Sequence, residues 1–151
     1  MMNNIFSVDE KDYPEIISVW EASVKATHDF LSEEDIQHLK PLILNEYLKA
    51  VELVCMKDSQ GKIIGFIGVA DRKIEMLFIE PQHRGQSIGK KLLKYAIESM
   101  QAIDVDVNEQ NEQAVGFYKH AGFEVVSRSP VDGQGKPFPL LHMSLSQTAK
   151  I

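Results

Sequence analysis

Between residues 62 and 128, apolar runs of strand length alternate with stretches of helical period, and this alternation limits the fold more than any other feature of the chain. A run over 73–79 leads into the small-residue turn Arg84-Gly85-Gln86-Ser87-Ile88-Gly89 and then into amphipathic Lys90-Lys91-Leu92-Leu93-Lys94-Tyr95-Ala96-Ile97. A strand over 103–108 and a helix over 111–120 follow. Strands joined through a helix favour parallel pairing at the centre of a sheet. The turn itself predicts an anion site. The first turn of a helix carries about four backbone N–H groups without intrahelical partners, at the positive end of the helix dipole. Glycines and other small residues let a phosphate approach that main chain.

The remaining segments fit around this unit. Residues 3–8 read as a first strand, and Asp9 can cap a helix bearing Tyr13, Ile16, Ile17, Trp20 and Val24 at helical spacing. Ser32-Glu33-Glu34-Asp35 resembles a capping box with Asp in place of Glu or Gln. It opens a helix whose apolar face, Leu39, Leu42, Ile43, Tyr47 and Leu48, is interrupted at Pro41. Runs over 51–58 and 62–70 flank Ser59-Gln60-Gly61, a turn short enough for an antiparallel hairpin. Residues 123–128 and 139–145 read as closing strands. The prediction is an α/β (α+β) chain, one domain over 1–151, with a central twisted, mixed but mostly antiparallel sheet flanked by helices. A length of 151 residues at 44% hydrophobic content suits one core.

Charge is unevenly spread. The first fifty residues hold ten Asp/Glu against four Lys/Arg, and the other twelve of each cancel, so the net charge of -6 lies in the first third. Around the glycine turn His83, Arg84, Lys90, Lys91 and Lys94 form the densest basic cluster, suited to a small polyanion. A pI near 5.3 argues against passive nucleic-acid binding. No apolar run approaches the roughly 20 residues of a membrane span, and Met1-Met2-Asn3-Asn4 lacks the pattern of a secretory signal, which predicts a cytoplasmic protein. The single cysteine, Cys55, reads as a buried core thiol. The five histidines show no zinc spacing, so no metal is expected. The turn lacks the Ser/Thr after Lys of a P-loop and the Gly-x-Gly-x-x-Gly of a dinucleotide site.

Two motifs carry a resemblance. Leu77-Phe78-Ile79-Glu80-Pro81-Gln82-His83-Arg84-Gly85-Gln86-Ser87-Ile88-Gly89 is similar to the strand and pyrophosphate loop, Arg/Gln-x-x-Gly-x-Gly/Ala, of the GNAT superfamily of acyl-CoA-dependent N-acyltransferases. Asn111-x-x-Ala114-x-x-Phe117-Tyr118-x-x-x-Gly122-Phe123 resembles the family's later helix and turn. Further stretches, 27–31, 108–114 and 135–141, resemble its small bacterial YjaB-like branch. The departure is Ser87, where the family usually has glycine. A Cβ at positive φ costs roughly 1 kcal/mol, which would weaken the loop without abolishing it.

The resemblance implies acetyl transfer from acetyl-CoA to a primary amine of a small molecule or peptide, by direct attack, with CoA bound where the sheet splays between the strands over 73–79 and 103–108. It implies that backbone amides of Arg84, Gly85, Gln86, Ser87, Ile88, Gly89 and Lys90 cradle the pyrophosphate, and that main chain at Leu77, Phe78 and Ile79 holds the pantetheine arm. It makes Tyr118 the acid that protonates the leaving thiolate. A phenol near pKa 10 and a thiolate near 8.5 put that transfer uphill by only about 2 kcal/mol. Asn111 and Tyr118, seven residues apart, share one helix face. Asn111 either contacts the cofactor or caps its helix. For the base, Glu75 and His28 rank ahead of Glu33 and Glu34. Trp20, Val24, Thr27 and Phe30 either wall an acceptor pocket or belong to the core. His142, in the closing strand, can lie near the acceptor and is given no role. A non-catalytic acetyl-CoA sensor and an aminoacyl-tRNA acetylating toxin are the competing readings, the latter opposed by the acidic N-terminal third. Exposed sheet edges are compatible with a homodimer.

Overall fold

The computed structural model describes residues 5–27, 31–83, 85–133 and 135–146. Contacts divide the chain into two compact units between Ala102 and Ile103.

In the first unit, strands β1 (Ile5–Ser7), β2 (Glu52–Lys57), β3 (Ile63–Ala70) and β4 (Lys73–Ile79) pair in chain order, every pair antiparallel. Asp58 sets the β2–β3 turn. Its Oδ1 accepts from the Gln60 and Lys62 amides at 2.9 Å each, and Gly61 takes φ 82°. Residues 63–69 are buried without a break, the signature of a strand covered on both faces. Helices α1 (Tyr13–Thr27) and α2 (Glu33–Leu42) cover one face, packing Ile16, Trp20, Val24 and Ile36 with Phe66, Cys55 and Met76. Helix α3 (Ile88–Ser99) covers the other, where Gly65 lies against Ile88 and Leu92.

Two local details depart from expectation and one agrees with it. Asp9 caps a 3-10 turn, Glu10–Asp12, and α1 starts only at Tyr13. The capping box holds, with Ser32 accepting from the Asp35 amide and Asp35 from the Ser32 amide, each at 3.1 Å. Pro41 does not interrupt the second helix. It sits in the last turn of α2, where the proline ring removes one donor, and the chain continues as a π turn, Ile43–Tyr47, and a 3-10 turn, Leu48–Ala50.

In the second unit β5 (Asp104–Asn108) and β6 (Phe123–Ser129) both pair antiparallel with β7 (Leu140–Leu145), which lies between them. Helix α4 (Glu112–His120) packs on the face bearing Phe123. Val105, Val107 and Met143 alternate with Asp104, Asp106, Asn108 and His142, so one face is apolar and the other polar. β6 carries a bulge. Val125 pairs with Met143 and Ser127 with His142, leaving Val126 unpaired and 63% exposed. Beyond the bulge, Arg128 clasps Glu109 with two bonds of 2.7 and 2.9 Å.

Candidate functional site

The glycine turn forms as its sequence suggests. After β4, a 3-10 turn at Pro81–His83 brings the chain to Gly85, at φ 85° with open space around its missing Cβ, and to Ser87, which caps α3 at φ 65°, ψ 18°. Ser87 therefore occupies the left-handed conformation that favours glycine. Its side chain caps nothing, and the first bond of α3 runs from the Lys91 amide to the Ser87 carbonyl at 3.0 Å. The amides of Ile88, Gly89 and Lys90 precede that bond and have no partner within the helix. Gly85, Gln86, Ser87 and Lys90 are exposed around this helix start, while Ile88 is buried, and the arrangement is a fit for a diphosphate. Arg84 lies outside the described residues.

Leu77, Phe78 and Ile79 form the end of β4, paired with Ile67, Phe66 and Gly65. Phe78 packs its ring 5.8 Å from Phe66, while Ile79 turns to the α3 side, against Gly65. Glu75 is the extra residue of a bulge in β4, since Met76 pairs with Gly68 and Ile74 with Val69. It is exposed. His28 and Phe30 lie outside the described residues. Trp20 and Val24 are buried in the core, which answers their two readings in favour of packing.

Tyr118 is held in α4 between Phe117 and Phe123, edge-to-face with ring centroids at 5.1 and 5.6 Å. Burial pushes its phenol well above the ordinary value of 10.0. A neutral phenol is thus maintained, although each pKa unit of elevation adds about 1.4 kcal/mol to donating its proton. Tyr118 is 6% exposed. Asn111 is the N-cap of α4, its Oδ1 accepting from the Ala114 amide at 3.2 Å.

A polar chain that sequence reasoning left unassigned crosses the second unit. Asp106 Oδ1 lies 2.7 Å from His142 Nδ1, and His142 Nε2 lies 2.6 Å from Ser129 Oγ. Beside it, the Ser144 hydroxyl donates to Asp104 at 2.5 Å. The available signal was polar residues alternating with apolar ones in both β5 and β7, but their pairing depends on strand register.

Comparison with known proteins gives a consistent result. The family model for the acetyltransferase (GNAT) domain matches residues 26–146. The chain is 41% identical over 143 residues to a peptidyl-lysine N-acetyltransferase, YjaB, of Salmonella typhimurium, covering 95% of this chain and 98% of that one. It is also 41% identical over 130 residues to the Escherichia coli YjaB, covering 86% and 88%. The solution structure of apo YjaB from Escherichia coli matches with a TM-score of 0.82 at 38% identity, over 93% of this chain and 95% of that one.

Proposed function

The chain belongs to the acetyltransferase (GNAT) family and is an acyl-CoA-dependent N-acetyltransferase, and from that premise we propose that its acceptor is the Nζ of a lysine in a protein or peptide. The two relatives at 41% identity, named for peptidyl-lysine acetylation and matched along most of their length, support this acceptor class. The family match runs through both units, which supports reading residues 1–151 as one domain. Among the described residues no helix is long and apolar enough to cross a membrane. We place the reaction in the cytoplasm.

The observation that carries the cosubstrate assignment is the start of α3. Helix-start amides at 88–90 without partners in the helix, a left-handed Ser87 and an unobstructed Gly85 supply what a pyrophosphate needs. In this reading Arg84 to Lys90 take the pyrophosphate, and main chain at Leu77, Phe78 and Ile79 takes the pantetheine amides. Asn111, already engaged as a cap, contributes by fixing the start of α4. The amine attacks the thioester carbonyl, and Tyr118 returns a proton to the departing sulfur. Glu75, exposed in its bulge, can bind the lysine ammonium.

A thermal-unfolding titration with acetyl-CoA, against ATP and NAD, tests the cosubstrate. Ligand at a hundred times its dissociation constant should add about 2.7 kcal/mol. Mass spectrometry of lysine peptides incubated with enzyme and acetyl-CoA tests the acceptor. A shift with acetyl-CoA but no acetylated peptide would retain the cosubstrate and reject lysine. Equal shifts with all three nucleotides would reject the cosubstrate site.

A further inference from the structure

We propose that Arg128 and Glu109 are positioning residues for acetyl transfer: their ion pair, closed across β7, fixes the start of α4 and, through that helix, the hydroxyl of Tyr118. This rests on Tyr118 as the acid of the proposed function. Arg128 Nε donates to Glu109 Oε2 at 2.7 Å and Arg128 Nη2 to Oε1 at 2.9 Å. Such a fork fixes orientation as well as distance, which a single-point contact does not. The guanidinium holds the Glu109 carboxyl below its ordinary value, so the pair is charged at neutral pH.

Strand register brings the two residues together. Arg128 pairs with Leu141, and Leu141 pairs on its other side with Val107, so all three share the sheet face that carries Phe123 and α4. Glu109 follows in the turn between β5 and α4, its amide bonded to the Pro139 carbonyl at 2.9 Å. Because β7 lies between β5 and β6, the ion pair bridges two strand spacings, about 10 Å. The β6 bulge makes this possible. Without the extra residue at Val126, Arg128 would stand on the opposite face, away from Glu109.

The helix needs an anchor at that end. With nine residues α4 is shorter than a helix that holds by itself in water, and Gly116 in its middle weakens it further. Tyr118 is its one buried residue. The end of α4 is thus held by Tyr118 against Phe123, and by the Ser146 amide on the Gly122 carbonyl at 2.8 Å. The start has no buried side chain and is held by its turn. There the Asn111 amide donates to the Asn108 carbonyl at 3.0 Å and the Gln110 amide to Asn108 Oδ1 at 2.8 Å, while Arg128 ties the same turn to β6. Releasing the ion pair loosens the first turn of α4, and the phenol farther along the helix loses its fixed position. The loss falls on the return of a proton to sulfur and leaves acetyl-CoA binding alone.

Single-turnover acetylation of a lysine peptide tests this in Glu109→Gln, Arg128→Gln, the double variant, and each single change combined with Tyr118→Phe, with amide hydrogen exchange followed across α4. Each single change should slow the transfer step about tenfold and leave acetyl-CoA affinity and the unfolding temperature at wild type. Exchange should speed up at the amides of Val115 to Tyr118 while those of β7 hold. The double variant should be no slower than either single, and neither change should slow Tyr118→Phe further. A folded Glu109→Gln enzyme with the wild-type rate would overturn the proposal. So would additive losses in the double variant, or an undiminished loss on top of Tyr118→Phe, which would place the effect outside the acid. Hydrogen exchange separates this proposal from the reading beneath it. If Tyr118→Phe is as fast as the wild type, or the wild type transfers nothing to the peptide, that reading fails alone when Glu109→Gln still speeds exchange in α4, and both fail when it does not.

Discussion

Gly65 and Ile88 meet where β3 passes under the first turn of α3: a methyl group on Gly65 would lie 3.0 Å from Ile88 Cγ2 and 2.9 Å from Ile79 Cδ1. Both neighbours flank the proposed pyrophosphate loop, so the missing side chain sets how closely helix and strand approach. Gly65→Ala should therefore cost about 1–3 kcal/mol, measured by urea unfolding, and weaken acetyl-CoA binding. A variant as stable as the wild type would show that Ile79 and Ile88 yield without strain.

Ser87 holds φ 65° without a capping bond to compensate. Ser87→Gly should remove about 1 kcal/mol of strain, partly offset by the freer unfolded chain, and keep acetyl-CoA affinity at or above wild type. Ser87→Val, branched at Cβ, should lose stability and affinity together. Thermal unfolding with and without acetyl-CoA reads both.

Tyr118→Phe retains the ring contacts with Phe117 and Phe123 and loses only the hydroxyl. We expect unchanged acetyl-CoA affinity and a kcat lower by about a hundredfold. The raised phenol also has an alkaline signature. Its stabilising effect is complete below the unfolded value near 10 and declines as pH rises further, because only the unfolded chain ionises easily. Denaturation at alkaline pH should show a smaller decline in Tyr118→Phe.

Glu21 joins α1 to α2, accepting from Lys40 at 2.6 Å and Lys25 at 3.0 Å. These bonds, Lys40's first, hold its carboxyl down to about 2. Its contribution should be present above the ordinary value of 4.5 and disappear as pH falls through about 2. Glu21→Gln should lower stability by about 0.5–1 kcal/mol at neutral pH, with the difference from wild type vanishing in acid. A gap that persists below that pH would assign the loss to packing instead.

Cys55 is fully buried in β2, and burial raises its thiol to about 11. Alkylation of the folded protein at neutral pH should be negligible and should become complete in denaturant, as read by mass spectrometry.

Local signals predicted what local physics decides. Lys73–Ile79 is the strand its apolar run describes, Ser32 and Asp35 cap each other, and the small-residue turn delivers the chain into α3. The π turn after Pro41 was not legible, because proline signals a lost donor but not how the chain rewinds. The Ser129–His142–Asp106 chain was hidden for a different reason. It depends on the register of three strands and on a single extra residue in one of them, neither of which alternation in one strand encodes. Asn111 showed its cap and its family motif together, and only the Ala114 bond shows which role its oxygen serves.

The bulge at Val126 has an effect outside chemistry. In the order β5-β7-β6, β6 has a neighbour on one side only, and Val125 and Val126 are both exposed. A straight apolar strand in that position would template the addition of a further chain and seed aggregation. Because the ladder is broken at Val126, an incoming strand cannot match its hydrogen bonds across the full length, and edge-to-edge pairing is disfavoured.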